Sequence, residues 1–206
     1  PTGAGVGAGP FHSQSNEAWF THVAGLKVVY PSNPIDAKGL LIAALAEPNP
    51  ILYFEHKALY RSIEEEIPDT MYQVEIGKAN IIQEGTDATI ITYGMGVHWA
   101  KAYQQAHLDQ SIYIVDLRTL SPLDYTAIEN AVKATGKLMI LHEDNLTGGI
   151  GGEISAWVAE HCFEHLDAPI MRCASLDTPI PFNKTLEKQF LANDRLDEMM
   201  QKLLSY

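Results

Sequence analysis

From Ala88 to Cys173 the sequence alternates between short apolar runs and stretches of helical period, and this alternation constrains the fold more than any other feature. The runs are Ala88 to Tyr93, Ile112 to Leu117, Leu138 to His142 and Ile170 to Cys173. Between them lie the stretches Val97 to Leu108, Tyr125 to Ala134 and Gly152 to His165. Two more helices are expected around Leu186 to Leu191 and Leu196 to Leu204. Strands separated by helices connect through right-handed crossovers and form a parallel sheet covered on both faces. Residues 75–206 are therefore expected to form a compact, doubly wound α/β domain.

The first 60 residues read as only part of such a unit. Leu26 to Tyr30 is a short strand, Ser32 or Asn33 can cap, and Pro34 opens a helix that runs through Ala46 until Pro48-Asn49-Pro50 stops it. Ile51 to Glu55 follows as a strand expected to be buried on both faces, because Ile-Leu-Tyr-Phe is apolar on consecutive residues. Half a sheet cannot bury itself, so residues 1–60 are expected to be the tail of a truncated α/β domain completed elsewhere. The first residue is Pro1, not Met, and the chain is expected to start inside a larger polypeptide. Residues 61–74, with Glu64-Glu65-Glu66 and Pro68, show neither period and read as a connecting segment.

Charge narrows the partners. Over 206 residues the 26 acidic side chains outweigh 14 basic ones, a formal net charge of −12. That field repels phosphate backbones and anionic lipid, so neither nucleic acid nor a membrane surface is an expected partner. The longest apolar runs, such as Leu40 to Ala46, fall far short of the roughly 20 residues a spanning helix needs. Two cysteines, Cys162 and Cys173, supply neither a disulfide framework nor a thiolate metal site. The N-terminal stretch has no basic flank or apolar run of a signal peptide, and a reducing, cytoplasmic setting is expected.

In a parallel α/β sheet, ligands gather at the C-terminal ends of the strands. His142-Glu143-Asp144 follows one strand directly, and Thr147-Gly148-Gly149-Ile150-Gly151-Gly152-Glu153 then opens a helix. Free amides there could cradle an anion, but no Lys stands in P-loop position and the spacing is not a dinucleotide fingerprint. Close packing of the helix is the better reading of those glycines. A second place is Phe11-His12-Ser13-Gln14-Ser15-Asn16-Glu17, a polar loop in which His12 can face a substrate and titrate near neutral pH. Taken alone, a loop histidine beside two serines is more often a surface or hydrogen-bonding residue, and no G-x-S-x-G elbow accompanies it, so a serine hydrolase is not implied. His161, Cys162 and His165 lack the H-E-x-x-H pattern and read as a solvated helix face. Asp116, Arg118 and Asp124 are expected to tie a loop and cap a helix.

Taken together, His12-Ser13-Gln14-Ser15, Gly25-Leu26-Lys27-Val28-Val29, Asp36-Ala37-Lys38-Gly39, Phe54-Glu55-His56-Lys57, Glu84-Gly85-Thr86-Asp87, the Asp116 to Pro122 segment, His142-Glu143 with Thr147-Gly148-Gly149, and Asp177-Thr178-Pro179 occur in order over essentially the whole chain. In this the sequence resembles the β subunits of the thiamin-diphosphate-dependent decarboxylating components of 2-oxo acid dehydrogenase complexes. The resemblance implies a transketolase C-terminal-like domain over residues 75–206, a linker over 61–74, and the end of a pyrimidine-binding domain over 1–60. It implies His12 as the imidazole that projects toward thiazolium and substrate, with Ser13, Gln14 and Ser15 orienting it. It further implies a structural potassium ion on main-chain oxygens of Ala44, Glu47 and Asn49.

Thiamin diphosphate and magnesium belong, by the same resemblance, to the intact enzyme and are not expected on this fragment alone, which is expected to be inactive by itself. Its implied partners are an α subunit or α half, a second β subunit and the lipoyl acyltransferase core. The setting is cytoplasmic, or the mitochondrial matrix in a eukaryote. The branched-chain acid 2-oxoisovalerate is the favoured substrate, with pyruvate and acetoin as alternatives. Two other classes stay open on the residues: a module that only assembles subunits and docks the acyltransferase, and a flavodoxin-like nucleotide binder.

Overall fold

The computed structural model describes residues 1–206. The elements run in the order α1 (Gly9–His12), α2 (Glu17–Thr21), β1 (Lys27–Val29), α3 (Pro34–Ala46), β2 (Ile51–Tyr53), α4 (Leu59–Ser62), β3 (Asn80–Gln83), β4 (Ala88–Thr92), α5 (Met95–Ala106), β5 (Ile112–Asp116), β6 (Thr119–Ser121), α6 (Tyr125–Thr135), β7 (Leu138–Asn145), α7 (Ile150–His161), β8 (Met171–Ser175), α8 (Lys184–Phe190) and α9 (Asn193–Leu204).

The larger sheet has the order β3-β5-β4-β7-β8. Strands β4, β5, β7 and β8 are parallel, as the alternation predicts, and β3 adds an antiparallel edge. Chain order reverses at β4, because α5 carries the chain out to β5 and α6 brings it back to β7. The two helix layers follow from that reversal. Ala100 and Tyr103 of α5 pack with Leu196, Met200 and Leu203 of α9 on one face. On the other, Ile128 and Val132 of α6 join Ile154 and Val158 of α7 in a core that continues into Val28, Tyr30 and Phe54 of the N-terminal region. The smaller sheet, β2-β1-β6, crosses the connecting segment: β1 pairs parallel with β2 and antiparallel with β6.

Several expectations need correcting. Strand β2 is half-buried, because it is the edge of its sheet and has no strand beyond it. Phe11 to Glu17 is not a plain loop; α1 and α2 flank it, both too short to leave a period in the sequence. His142, Glu143 and Asp144 lie inside β7 and not after it. Helix α7 starts two residues early, at Ile150, and ends at His161, with a separate 3-10 turn at Phe163–His165. Arg61 and Ser62 still belong to a helical turn, α4. The remaining connecting segment is strapped along α3: the Tyr72 hydroxyl donates to the Ile35 carbonyl at 2.8 Å, and Lys38 donates to the carbonyls of Pro68 and Thr70.

The predicted caps are present. The Asn33 side chain accepts the Asp36 N–H at 2.8 Å, and Asp124 accepts the Ala127 N–H at 3.1 Å.

Candidate functional site

The His12 loop begins as an added edge. Thr2 sits beside His56 as a parallel bridge, its N–H donating to Glu55 and its carbonyl accepting from Lys57 at 2.8 and 3.0 Å. Glycine is required at the next position: Gly3 has φ of +93°, and a Cβ there would stand 2.3 Å from the His56 ring. The chain then runs through Gly5, Gly7 and Gly9, also at positive φ, into the single turn of α1.

His12 ends that turn, exposed, and faces an open depression of about 370 Å³ whose lining includes Phe11, Gln14, Asn16 and Lys57. Partial burial lowers the Lys57 ammonium from its ordinary value. Gln14 stands between this depression and a second one of about 700 Å³, which continues over Trp19 to Asp144, Asn145, Thr147 and Asp177 at the strand ends. Ser13 and Ser15 turn inward. Ser13 Oγ accepts the Ala8 N–H at 3.2 Å, and the Ser15 hydroxyl donates to Glu143 at 3.1 Å. Both hydroxyls therefore brace the loop instead of the His12 ring, and only Gln14 shares the open side with it.

Carboxylates from the C-terminal region lie beneath the loop. Glu143 Oε1 accepts the Ala4 N–H at 2.7 Å, and its Oε2 is 2.8 Å from His56 Nε2. Glu187 Oε1 accepts the N–H groups of Gly5 and Gly7 at 3.1 and 3.3 Å. Glu17 is fully buried and accepts the Tyr93 hydroxyl at 2.7 Å; burial, and then the Asp144 charge, raise its pKa. Glu143 and Asp144 lie toward the C-terminal end of β7, beside β4; from these two parallel strands the chain departs toward opposite edges of the sheet, and open α/β sheets place ligands at such a switch point. Sequence reading did not single out Glu187, because its contacts span some 180 residues of chain.

The other sequence candidates have different work. His142 is buried, and burial pushes its imidazole down to about 4, so it is neutral at pH 7. Its Nδ1–H donates to the Asp144 carbonyl at 3.1 Å. A Cβ on Gly149 or Gly151 would stand 2.6 or 2.7 Å from that ring, so these glycines serve close packing. His161 stacks on Trp157 with ring centroids 4.5 Å apart, and Cys162 is buried in the core. No three His, Cys, Asp or Glu side chains converge into a metal-ion site. Ala44, Glu47 and Asn49 form the turn closing α3; the Ala44 carbonyl accepts the Glu47 N–H at 3.3 Å, and the Glu47 carboxylate holds Lys27 and Asn49, each at 2.7 Å. No helix is long and apolar enough to cross a membrane.

Comparison with known proteins places this architecture. Residues 77–195 match the family described as transketolase, C-terminal domain, and residues 1–62 match transketolase, pyrimidine binding domain. The whole chain is 46% identical to the 2-oxoisovalerate dehydrogenase subunit beta of Bacillus subtilis, covering 64% of it. It is 43% identical to the mitochondrial subunit of the same name from Dictyostelium discoideum, covering 56% of it. Identity is 40% to the beta subunit of the pyruvate dehydrogenase component of Mycoplasma pneumoniae, over 99% of this chain and 63% of the relative. The chain thus spans less than two thirds of the length of these relatives. A solved structure of a split-gene transketolase in an inactive tetramer aligns over 99% of this chain and 65% of that one, with a TM-score of 0.78 at 20% identity.

Proposed function

The chain belongs to the transketolase C-terminal domain family, and from that premise we propose that it is the C-terminal portion of the β subunit of a branched-chain 2-oxo acid dehydrogenase. In the assembled enzyme it takes part in oxidative decarboxylation of 2-oxoisovalerate and acyl transfer to lipoamide. Residues 1–60 end the pyrimidine-binding domain, 61–74 link, and 75–206 form the C-terminal domain. The enzyme works in the cytoplasm, or in the mitochondrial matrix of a eukaryote.

The observation that carries this reading is His12, an exposed imidazole beside an open depression, on a loop braced from within by the Ser13 and Ser15 hydroxyls. The depression beside it fits one wall of a cofactor site, open on the side where an α subunit would close it. Thiamin diphosphate, when bound, supplies the electron sink for loss of carbon dioxide. His12 holds and moves the proton that decarboxylation and acyl transfer require near neutral pH. Gln14 offers an amide to orient the reactant, and the Lys57 ammonium places positive charge where an anionic acid enters. By the family resemblance, magnesium and the diphosphate are held by the α subunit. The carbonyls of Glu47 and Asn49, free of hydrogen bonds at the end of α3, suit a potassium ion together with that of Ala44. A second β subunit and the lipoyl acyltransferase core complete the assembly.

The experiment is to assemble the full-length subunit with its α subunit and compare kcat/KM for 2-oxoisovalerate and pyruvate. Preference for 2-oxoisovalerate is expected. Preference for pyruvate would favour the second reading, which the 40% identity to a pyruvate dehydrogenase subunit supports. Assembly without decarboxylation would leave only a docking module.

A further inference from the structure

The segment from Ala4 to Ser15 begins and ends on one oxygen atom. Glu143 Oε1, on β7, accepts the Ala4 N–H at 2.7 Å and the Ser15 hydroxyl at 3.1 Å. The other carboxylate oxygen is fixed by His56 Nε2 at 2.8 Å, so the carboxylate cannot swing away from the loop. Midway along, Glu187 Oε1 on α8 accepts the N–H groups of Gly5 and Gly7. Both carboxylates are nearly inaccessible, with Glu143 6% and Glu187 4% exposed. Hydrogen bonds to an ionised acceptor are roughly twice as strong as neutral ones, and more so where water is excluded.

Beyond these bonds the stretch is ordered by Ala4 packed with Ile180 and Phe190, by the Ala8 N–H on the Ser13 hydroxyl oxygen, and by the Thr2 hydroxyl on the Gln14 carbonyl. It holds glycine at positions 5, 7 and 9, all at positive φ, and so has few side chains to pack. None of its backbone before Gly9 belongs to a helix or extended strand. The left-handed glycines turn the Gly5 and Gly7 amides toward one side, in the manner of an anion-binding nest, and Glu187 fills that place. His12 lies between the two anchors, eight residues beyond Ala4 and three before Ser15.

We propose that Glu143 and Glu187 are positioning residues: the C-terminal domain holds the imidazole of His12 in its working place by gripping the backbone of the loop that carries it. The proposal rests on the reading of His12 as the proton carrier. It gives the C-terminal domain a part in catalysis without contact with the reacting atoms, because a loop displaced by about 1 Å can cost about 100-fold in rate.

The test uses the full-length subunit assembled with its α subunit, with Glu187→Ala, His12→Ala and the double variant. Glu143→Ala strips partners from three chain segments at once and can prevent folding, so Ser15→Ala serves as the second loop variant. Hydrogen exchange over residues 4–12 reports the grip without reference to activity. In Glu187→Ala, exchange is expected to rise about tenfold or more, as a lost bond to a charged acceptor implies. Turnover should fall about 100-fold with KM for 2-oxoisovalerate nearly unchanged. Ser15→Ala should move both readouts in the same direction, and Glu187→Gln, which keeps an acceptor oxygen, should recover much of both. In the His12→Ala background, Glu187→Ala should cost nothing further.

Unchanged exchange would overturn the grip while leaving the reading of His12 intact. A turnover loss that adds in full to that of His12→Ala would show that Glu187 acts by another route. Full activity of His12→Ala with a freed loop in Glu187→Ala would instead overturn the reading of His12, and the positioning role with it.

Discussion

Arg118, in the turn after β5, pairs with Asp36 in the first turn of α3: Nη2 lies 2.7 Å from Oδ1, and Nε donates to Oδ2 at 2.9 Å. Asp36 is 1% exposed and Arg118 17%, so water screens the pair little. Arg118 is also the one non-glycine residue at positive φ, +57°, a conformation supported by its N–H donating to Asp116 Oδ1 at 3.0 Å. The turn is therefore shaped to send a guanidinium from the C-terminal region into the N-terminal one. Removing one member of such a pair leaves a buried charge alone, and Arg118→Ala is expected to cost about 3 kcal/mol in urea unfolding. A loss below about 0.5 kcal/mol would place the pair among ordinary surface ion pairs.

Asp116 gives the same junction a pH dependence. Burial above all pushes its carboxyl up to about 7, against the Ser32 hydroxyl and Arg118 N–H that favour its charge. The folded protein thus holds this proton more tightly than the unfolded chain, whose value is 3.8. The stability it contributes is complete below the unfolded value and is lost as pH rises through about 7. Asp116→Asn cannot ionise. Its stability relative to wild type should therefore improve from about pH 4 to about pH 7 and level off above that, measured by denaturant midpoints. A constant difference across that range would contradict the account.

Two adjacent glycines in α7 should answer differently to the same substitution. In Gly151→Ala the added Cβ would stand 2.7 Å from the buried His142 ring, whereas in Gly152→Ala the nearest atom is 3.6 Å away. Gly151→Ala is expected to destabilise by about 1–3 kcal/mol through overpacking. Gly152→Ala is expected to be neutral or stabilising by up to about 1 kcal/mol, since alanine favours the helix. Equal effects in thermal unfolding would mean that packing on His142 does not explain the glycine run.

The alternation from Ala88 to Cys173 was legible because each buried strand and its covering helix are continuous in sequence and carry their own period. Strands β3 and β6 were not. They are four and three residues long, and each is held by a partner strand that sequence adjacency does not reveal. His12 could be noted from its polar, glycine-led loop, but its role came only from the resemblance, since a lone loop histidine by itself more often serves as a surface or hydrogen-bonding residue. Its supports could not: Glu143 reaches Ala4 across 139 residues, and Glu187 reaches Gly5 across 182. The resemblance implied Ser13 and Ser15 as companions that orient the imidazole, yet their hydroxyls are engaged with the Ala8 N–H and Glu143.

Around the loop, Phe11, Trp19 and Phe182 are 78%, 64% and 56% exposed, and Phe11 and Phe182 lie 6.0 Å apart. Under the proposed assembly, apolar rings this open beside a depression are where the α subunit is expected to pack. Trp19→Arg should weaken assembly with the α subunit by about tenfold or more while leaving the fold intact, as judged by sedimentation and circular dichroism. Undiminished assembly would place the interface elsewhere.

The most direct measurement is the turnover of His12→Ala in the assembled enzyme at saturating cofactor, with decarboxylation followed by an artificial electron acceptor and acyl transfer by reductive acylation of the lipoyl domain. A lost proton carrier costs about 100-fold to 10,000-fold, and a lost surface histidine costs nothing in turnover. The account predicts a loss in that range with cofactor affinity nearly unchanged, and a loss confined to one half-reaction would assign His12 to that proton transfer. Full activity in both half-reactions would contradict it and leave the loop a structural feature.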